Sequence, residues 1–299
     1  PGLAIVGPSG AGKTSFVQAG LIPRLRESGR WIVVRVRPGE EPLVRLAGKL
    51  LAAHAEETGS QPIQNSAERT LQTQYGPTVS EPDADDTRQL EITSLAVKFW
   101  EHPRQLFLEL NALAAIRNAR VLPVIDQLEE LFTLCTDRER QNAFMQAVCT
   151  AADDPVDPVR VLLTIRDDFL GRMASTGEVA RNMLRQVMVL STPDEEVLEE
   201  VLTRPLEAAG YQYDDPQLPA DMVGALDSVA SLPLLQFAAR SLWDKRDQVG
   251  RKLRRIDYEE MGGVEGALAR HADEVLQGIS AQELSIVRAV LLRMVTPDQ

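Results

Sequence analysis

The chain has 299 residues, of which 44% are hydrophobic and 25% charged, a composition that suits a soluble globular protein with two or three modest domains. Its 44 acids outnumber its 32 bases, and the net charge of −12 opposes a general nucleic-acid-binding surface. No apolar run approaches the roughly 18 residues of a membrane span. The two cysteines, Cys135 and Cys149, match no metal spacing and no disulfide framework, which predicts free thiols in a reduced, cytoplasmic compartment.

The chain opens on Pro1-Gly2 and enters a strand at once, so it reads as a piece of a longer protein without a signal peptide. Residues 3–6 (LAIV) form an apolar run ending at Gly7, as a buried parallel strand does. A helix is predicted from about Lys13 to Ser28, with Phe16, Val17, Leu21 and Leu25 inward. WIVVRV at 31–36 makes a second strand, followed by an amphipathic helix over 41–58 through Leu43, Leu46, Leu50 and Leu51. The stretch 60–89 differs: Pro62, Pro77, Pro82, many Gln, Ser and Thr, and the acidic run EPDADD at 81–86 predict an exposed or poorly ordered insertion.

Pattern returns at 104–117, a helix with Leu106, Leu110, Leu113 and Ile116 inward, which leads into the strand VLPVI at 121–125. A helix over 137–152 and the strands VRVLLTI at 159–165 and QVMVL at 186–190 complete the series. Strands alternating with helices imply right-handed crossovers and a mainly parallel five-stranded sheet between two helical layers, over residues 1–191. Beyond that the β signal stops. Thr192-Pro193-Asp194-Glu195 reads as a capping box with Pro at the first helical position, opening a helix that buries Val197, Leu198, Val201 and Leu202. Helical periodicity continues through 220–247 and 264–277, which makes 192–278 an all-helical domain. Ser280 with Glu283 forms another capping box. The basic run RKLRR at 251–255 is either a local cationic patch or the solvated end of a helix or turn.

GPSGAGKT at 7–14 fits G-x-x-x-x-G-K-[ST] in full, between a predicted strand and a predicted helix. Gly10 and Gly12 permit the sharp turn that converges successive amide N–H groups on a β-phosphate, and the positive end of the helix adds to that field. Lys13 is expected to bridge the β- and γ-phosphates and the Thr14 hydroxyl to ligate Mg²⁺, with Gly7, Pro8, Ser9, Ala11 and Ser15 completing the cradle. The bland alternative is a Gly-rich turn at a strand–helix junction.

A loop of this kind needs carboxylates on a neighbouring strand, and VLPVIDQLEEL at 121–131 supplies them. Asp126, at the C-terminal end of its strand, is expected to hold Mg²⁺ through water. Glu129 or Glu130, with Glu129 preferred, would polarise the attacking water; otherwise both acids simply favour the first turn of the next helix. Arg166 ends the strand TIR and either faces the γ-phosphate or pairs with Asp167 or Asp168. Asp168 is expected to cap the helix around Phe169 and Leu170. His54, His102 and His271 have no partners at ligand spacing and read as surface or packing residues.

With these residues the sequence resembles a STAND-class NTPase, in particular the novel STAND NTPase family often found beside WD-type β-propeller repeats. GPSGAGKTSFVQAGLIPRL at 7–25 is similar to that family's extended P-loop and helix, and VIDQLEELF at 125–132 to its Walker B segment, with the acid-x-x-acid-acid order also seen in NACHT proteins. TIRDDF at 164–169 is similar to its sensor strand, and LPLLQFAARSLW at 232–243 and GGVEGALARHADEV at 262–275 to its helical region. The resemblance spares only the stretch 60–100. It implies an ATPase core, a small helical domain, and the start of a winged helix at 279–299. It further implies ATP or ADP as ligand with Mg²⁺, and signal transduction through self-oligomerisation, triggered by a protein or ligand acting on modules outside this segment. By the same resemblance Pro233 would pack against the adenine, although Ser231 stands where relatives commonly carry Gly; the bare residues equally fit a Pro in the first turn of a helix.

Two other functions compete. GPSGAGKT also resembles the loop of guanylate-kinase-like phosphotransferases, but the paired acids after Asp126 and the long helical extension differ from those enzymes. The other is a nucleotide-stabilised, non-enzymatic scaffold, which would use the same residues. No LSGGQ-like signature supports an ABC-type subunit, and no guanine-reading N/T-K-x-D motif follows the strands.

Overall fold

The structure, a computed structural model, describes residues 2–55, 84–152, 156–226 and 232–295. It divides into two compact units, Pro1–Ser191 and Thr192–Gln299.

In the first unit, β1 (Gly2–Gly7) leads through the glycine-rich loop into α1 (Lys13–Ser15), a π-helical segment (Phe16–Leu21) and α2 (Ile22–Ser28), one continuous helical run. Then come β2 (Trp31–Val36), α3 (Pro42–Ala55), α4 (Ala84–Glu101), α5 (Arg104–Arg117) and β3 (Arg120–Ile125). They are followed by α6 (Glu130–Thr133), α7 (Arg138–Thr150), β4 (Val161–Arg166), α8 (Leu170–Ser175), α9 (Glu178–Met183) and β5 (Val187–Val189). The five strands form one sheet in the order β2-β3-β4-β1-β5, and every pairing is parallel.

Period-two alternation assigns the two faces of that sheet. Ile5, Leu122, Val124 and Leu162 pack with Val17 and Ile22 of the helical run on one side. Ala4, Val6, Val121, Ile125, Leu163 and Ile165 join the larger core under α3, α4, α5 and α7 on the other. Both faces are therefore apolar, which is why the inner strands β1, β3 and β4 read as nearly continuous hydrophobic runs.

Three expectations change here. Residues 84–89 are not part of an insertion but the start of α4, where Asp85 and Asp86 sit in the first turn and suit the helix dipole. Its apolar stripe, Leu95, Ala96 and Phe99, is buried against the main core with Ile92 packed beside it, and no element was predicted for it. The remainder of that stretch, 60–83, lies outside the described residues. On α5, Leu106, Leu110 and Leu113 are buried as expected, but Ile116 is exposed because α5 turns it off the buried stripe.

The second unit comprises α10 (Glu195–Ala208), β6 (Gln212–Tyr213), α11 (Leu218–Gly224), α12 (Leu232–Asp244), β7 (Lys252–Leu253), α13 (Arg255–Glu260), α14 (Gly263–Gln277) and α15 (Ala281–Val295). It is helical apart from the short parallel pair β6-β7. α10 is capped by Asp194, whose carboxylate accepts the Val197 N–H, so Pro193 lies before the cap rather than at the first helical position. That start turns Leu198, Leu202 and Leu206 inward and leaves Val197 and Val201 exposed. The Ser280–Glu283 capping box forms as expected: the Ser280 N–H donates to Glu283 Oε2, and the Glu283 N–H donates to Ser280 Oγ. Within the RKLRR run, Arg254 pairs with Asp257 and Arg255 with Asp215 and Asp221.

Candidate functional site

The glycine-rich loop leaves the C-terminal end of β1 and reverses into α1. The backbone takes φ of 79° at both Gly10 and Gly12, a left-handed conformation that glycine adopts without a Cβ penalty. Gly7 is constrained differently: a Cβ there would stand 2.3 Å from the Leu190 carbonyl oxygen, so β1 and the chain leaving β5 approach only across glycine. Gly12 is the N-cap of α1 and no side chain caps the helix, so its first amides face the loop.

Lys13 is almost fully buried, and its Nζ donates to the carbonyls of Gly7 and Pro8, both at 2.8 Å. Burial holds its ammonium below the usual lysine range, while the charges of Glu129 and Asp167 pull it back up. A cation held desolvated inside a glycine loop is poised for a polyanion.

Asp126 emerges from β3 fully buried. Its Oδ1 accepts hydrogen bonds from Thr14 Oγ1 and from Thr164 Oγ1, each at 2.8 Å. Its Oδ2 is buried and has no hydrogen-bond partner among the described residues; the Arg37 Nε is 3.7 Å away, on a half-exposed side chain. Thr14 and Asp126 thus fit an Mg²⁺ ion: both offer oxygen to one point, and a buried carboxylate oxygen accepts no hydrogen bond there.

Thr164 was not singled out from sequence, although a lone hydroxyl inside the apolar run VLLTI is a visible signal. Besides holding Asp126, its Oγ1 accepts the N–H of Gln127, a residue at φ 56°, so it fixes the turn that carries Asp126 out of β3. Arg37 was missed too; it directly follows the strand adjoining β3.

Glu129 is the N-cap residue of α6, and its Oε2 accepts the backbone N–H of Arg166 at 3.3 Å. Glu130 begins α6, and its own N–H donates to the Gln127 carbonyl. Of the two, Glu129 is the one whose charge acts on Lys13. The Arg166 guanidinium is bound in a fork by Asp168, with contacts of 3.0 and 2.7 Å, and stacks over Phe169. Asp168 therefore does not cap the following helix, as had been expected; its carboxylate is taken by Arg166, and α8 starts from Phe169 without a side-chain cap. Pro233 is the second residue of α12 in the other unit, where its missing N–H leaves no helical bond unmade. Both cysteines are buried and in no disulfide, and no cluster of metal-ligating side chains occurs among the described residues.

A parallel sheet of order β2-β3-β4-β1-β5, with a G-x-x-x-x-G-K-T loop after β1 and a carboxylate on β3 bonded to the loop threonine, defines a nucleotide-binding P-loop NTPase. The model of the family Novel STAND NTPase 1 matches residues 1–299, and the chain belongs to that family. A search of curated proteins finds no match. Among solved structures the chain is similar to two from Aeropyrum pernix. One is the ORC1 protein in complex with DNA (TM-score 0.54, 15% identity, 98% of this chain and 66% of that one). The other is the ORC2 protein in ADPNP–ADP complexes (TM-score 0.55, 14% identity, 97% of this chain and 67% of that one). The chain thus spans about two thirds of their length, and at such identity the likeness is one of fold.

Proposed function

We propose that this chain binds ATP with Mg²⁺ and hydrolyses it slowly, as a switch that governs self-association of a larger multidomain protein. The observation that carries the reading is the Asp126 carboxylate, buried, bonded through one oxygen to the Thr14 hydroxyl and unsatisfied at the other. Bound there, Mg²⁺ would neutralise charge on the β- and γ-phosphate oxygens. The chain's own groups do the rest. Gly10, Gly12 and the first amides of α1 cradle the phosphates, with Gly7, Pro8, Ser9, Ala11 and Ser15 shaping the loop. Lys13 exchanges the carbonyls of Gly7 and Pro8 for phosphate oxygens, and Thr164 keeps Asp126 in place. Glu129 orients and deprotonates the attacking water, with Glu130 as its neighbour. Arg166, released from Asp168, meets the γ-phosphate and reports its loss.

Slow turnover and switching are argued from the fork that binds Arg166 to Asp168: a γ-phosphate must displace one carboxylate to engage that cation, so two discrete arrangements compete. The same chemistry without an effective base would make a nucleotide-stabilised scaffold; the Glu129 bond to the Arg166 N–H favours that second reading to the extent that it holds the base away from water.

The deciding experiment measures nucleotide binding and phosphate release by the natural chain and by Lys13→Ala. Binding lost in Lys13→Ala, with slow release of phosphate by the natural chain, is expected. Normal turnover in Lys13→Ala would overturn the assignment, and binding without any hydrolysis would select the scaffold.

A further inference from the structure

One groove among the described residues lies away from the phosphate loop. It measures about 980 Å³ and runs along β2, between α2 and α3. In the sheet order two strands separate β2 from β1, about 14 Å at ordinary strand spacing, so the groove is a different place from the nucleotide site. We propose that this groove is a docking site for an extended acidic peptide, which adds to the sheet as a strand beside β2.

β2 is an edge strand, paired with β3 alone among the described residues. The Arg30 carbonyl accepts from the Arg120 N–H and the Val36 carbonyl from the Asp126 N–H, so the even-numbered positions turn their backbone groups toward β3. Trp31, Val33 and Arg35 consequently turn theirs into the groove, and none of them has a backbone partner there among the described residues. Such a row is a template for another strand.

The groove's charge selects the occupant. Arg26 from α2, Arg30 just before the strand, Arg35 within it, and Lys49 from α3 all line it, and no carboxylate does among the described residues. None of the four makes an ion pair among the described residues, on a chain whose net charge is −12. In a parallel, in-register pairing a second copy of β2 would set Arg35 against Arg35, which opposes that self-association. Nucleic acid would satisfy the cations but leave the outward amides and the apolar Ile22, Trp31 and Val33 unmatched. A strand alternating acids with β-branched residues satisfies all three features.

The test is fluorescence anisotropy of a fluorescein-labelled peptide alternating Glu with Val and Thr, titrated with the 299-residue chain. Saturable binding is expected, weakened by salt and by roughly tenfold or more in Arg35→Glu. Val33→Pro removes an outward N–H, at a position where an edge strand tolerates proline, and trims a partly buried side chain; it is expected to abolish binding while circular dichroism stays unchanged. The same peptide N-methylated at alternate amides keeps its charge and is expected not to bind. Equal binding of the methylated peptide, or its displacement by oligothymidylate, reduces the groove to a plain cationic patch and overturns the proposal. So does the absence of binding, whether because sedimentation shows a dimer that Val33→Pro dissociates or because the peptide binds only after residues 60–80 are replaced by a Gly/Ser linker.

Discussion

Thr164 Oγ1 donates to Asp126 Oδ1 at 2.8 Å, linking β4 to the end of β3 inside a fully buried pocket. The same hydroxyl accepts the Gln127 N–H at 2.9 Å, so one side chain holds both the carboxylate and the left-handed turn behind it. Thr164→Val keeps the shape and removes both bonds. Leaving buried partners unsatisfied costs about 1–3 kcal/mol, which equilibrium denaturation without nucleotide will read. Nucleotide affinity is expected to fall in the presence of Mg²⁺ and to hold in EDTA, because Thr164 touches the carboxylate and not the phosphate cradle. An equal loss in both conditions would contradict that role.

Phe99 on α4 is fully buried in the main core, where α4 packs on α3 and α7. Phe99→Ala is expected to destabilise the first unit by about 3–5 kcal/mol, measured by denaturant titration. A loss below about 1 kcal/mol would mean that α4 is a dispensable cover.

α4 also shows where sequence stops being legible. Its first two turns are polar and follow an acidic run, so the apolar stripe Ile92, Leu95, Ala96, Phe99 is too short to announce a helix, and the packing partner that explains it is 40 and more residues away on α3. The phosphate loop was readable because its constraint is local: Gly10 and Gly12 must adopt positive φ whatever surrounds them. The inner strands β1, β3 and β4 were readable because burial on both faces leaves largely unbroken apolar runs. Thr164 and Arg37 escaped because their meaning arises only when β3 is flanked by β4 and β2. Val197 and Val201 were misplaced for a smaller reason: a cap shifted by two residues, at Asp194, rotates the helix face.

Tyr213 on β6 is largely buried, and burial pushes its phenol up to about 12. The unfolded phenol titrates near its ordinary 10. The folded state therefore retains the proton in that window and the unfolded state releases it. The contribution is intact below about pH 10 and is lost as pH rises to about 12, by roughly 2–3 kcal/mol in all. Tyr213→Phe is expected to flatten that part of the alkaline stability profile, and an unchanged slope would show that the phenol is solvated.

Glu129 and Glu130 are adjacent, yet their surroundings differ. Glu129 Oε2 lies against the Arg166 N–H, and its charge acts on Lys13. Glu130 is the first residue of α6, where its acid suits the helix dipole. Glu129→Gln keeps an oxygen that can accept the Arg166 N–H, so the local fold should survive while the basic group is lost. Single-turnover hydrolysis is expected to slow by about a hundredfold or more. Nucleotide affinity should stay within about threefold, since the cradle is untouched. Glu130→Gln is expected to change the rate by less than about threefold. The reverse pattern would move the basic role to Glu130. Unchanged rates in both variants would remove this pair from the chemistry altogether and leave Asp126 as the only carboxylate acting on the nucleotide.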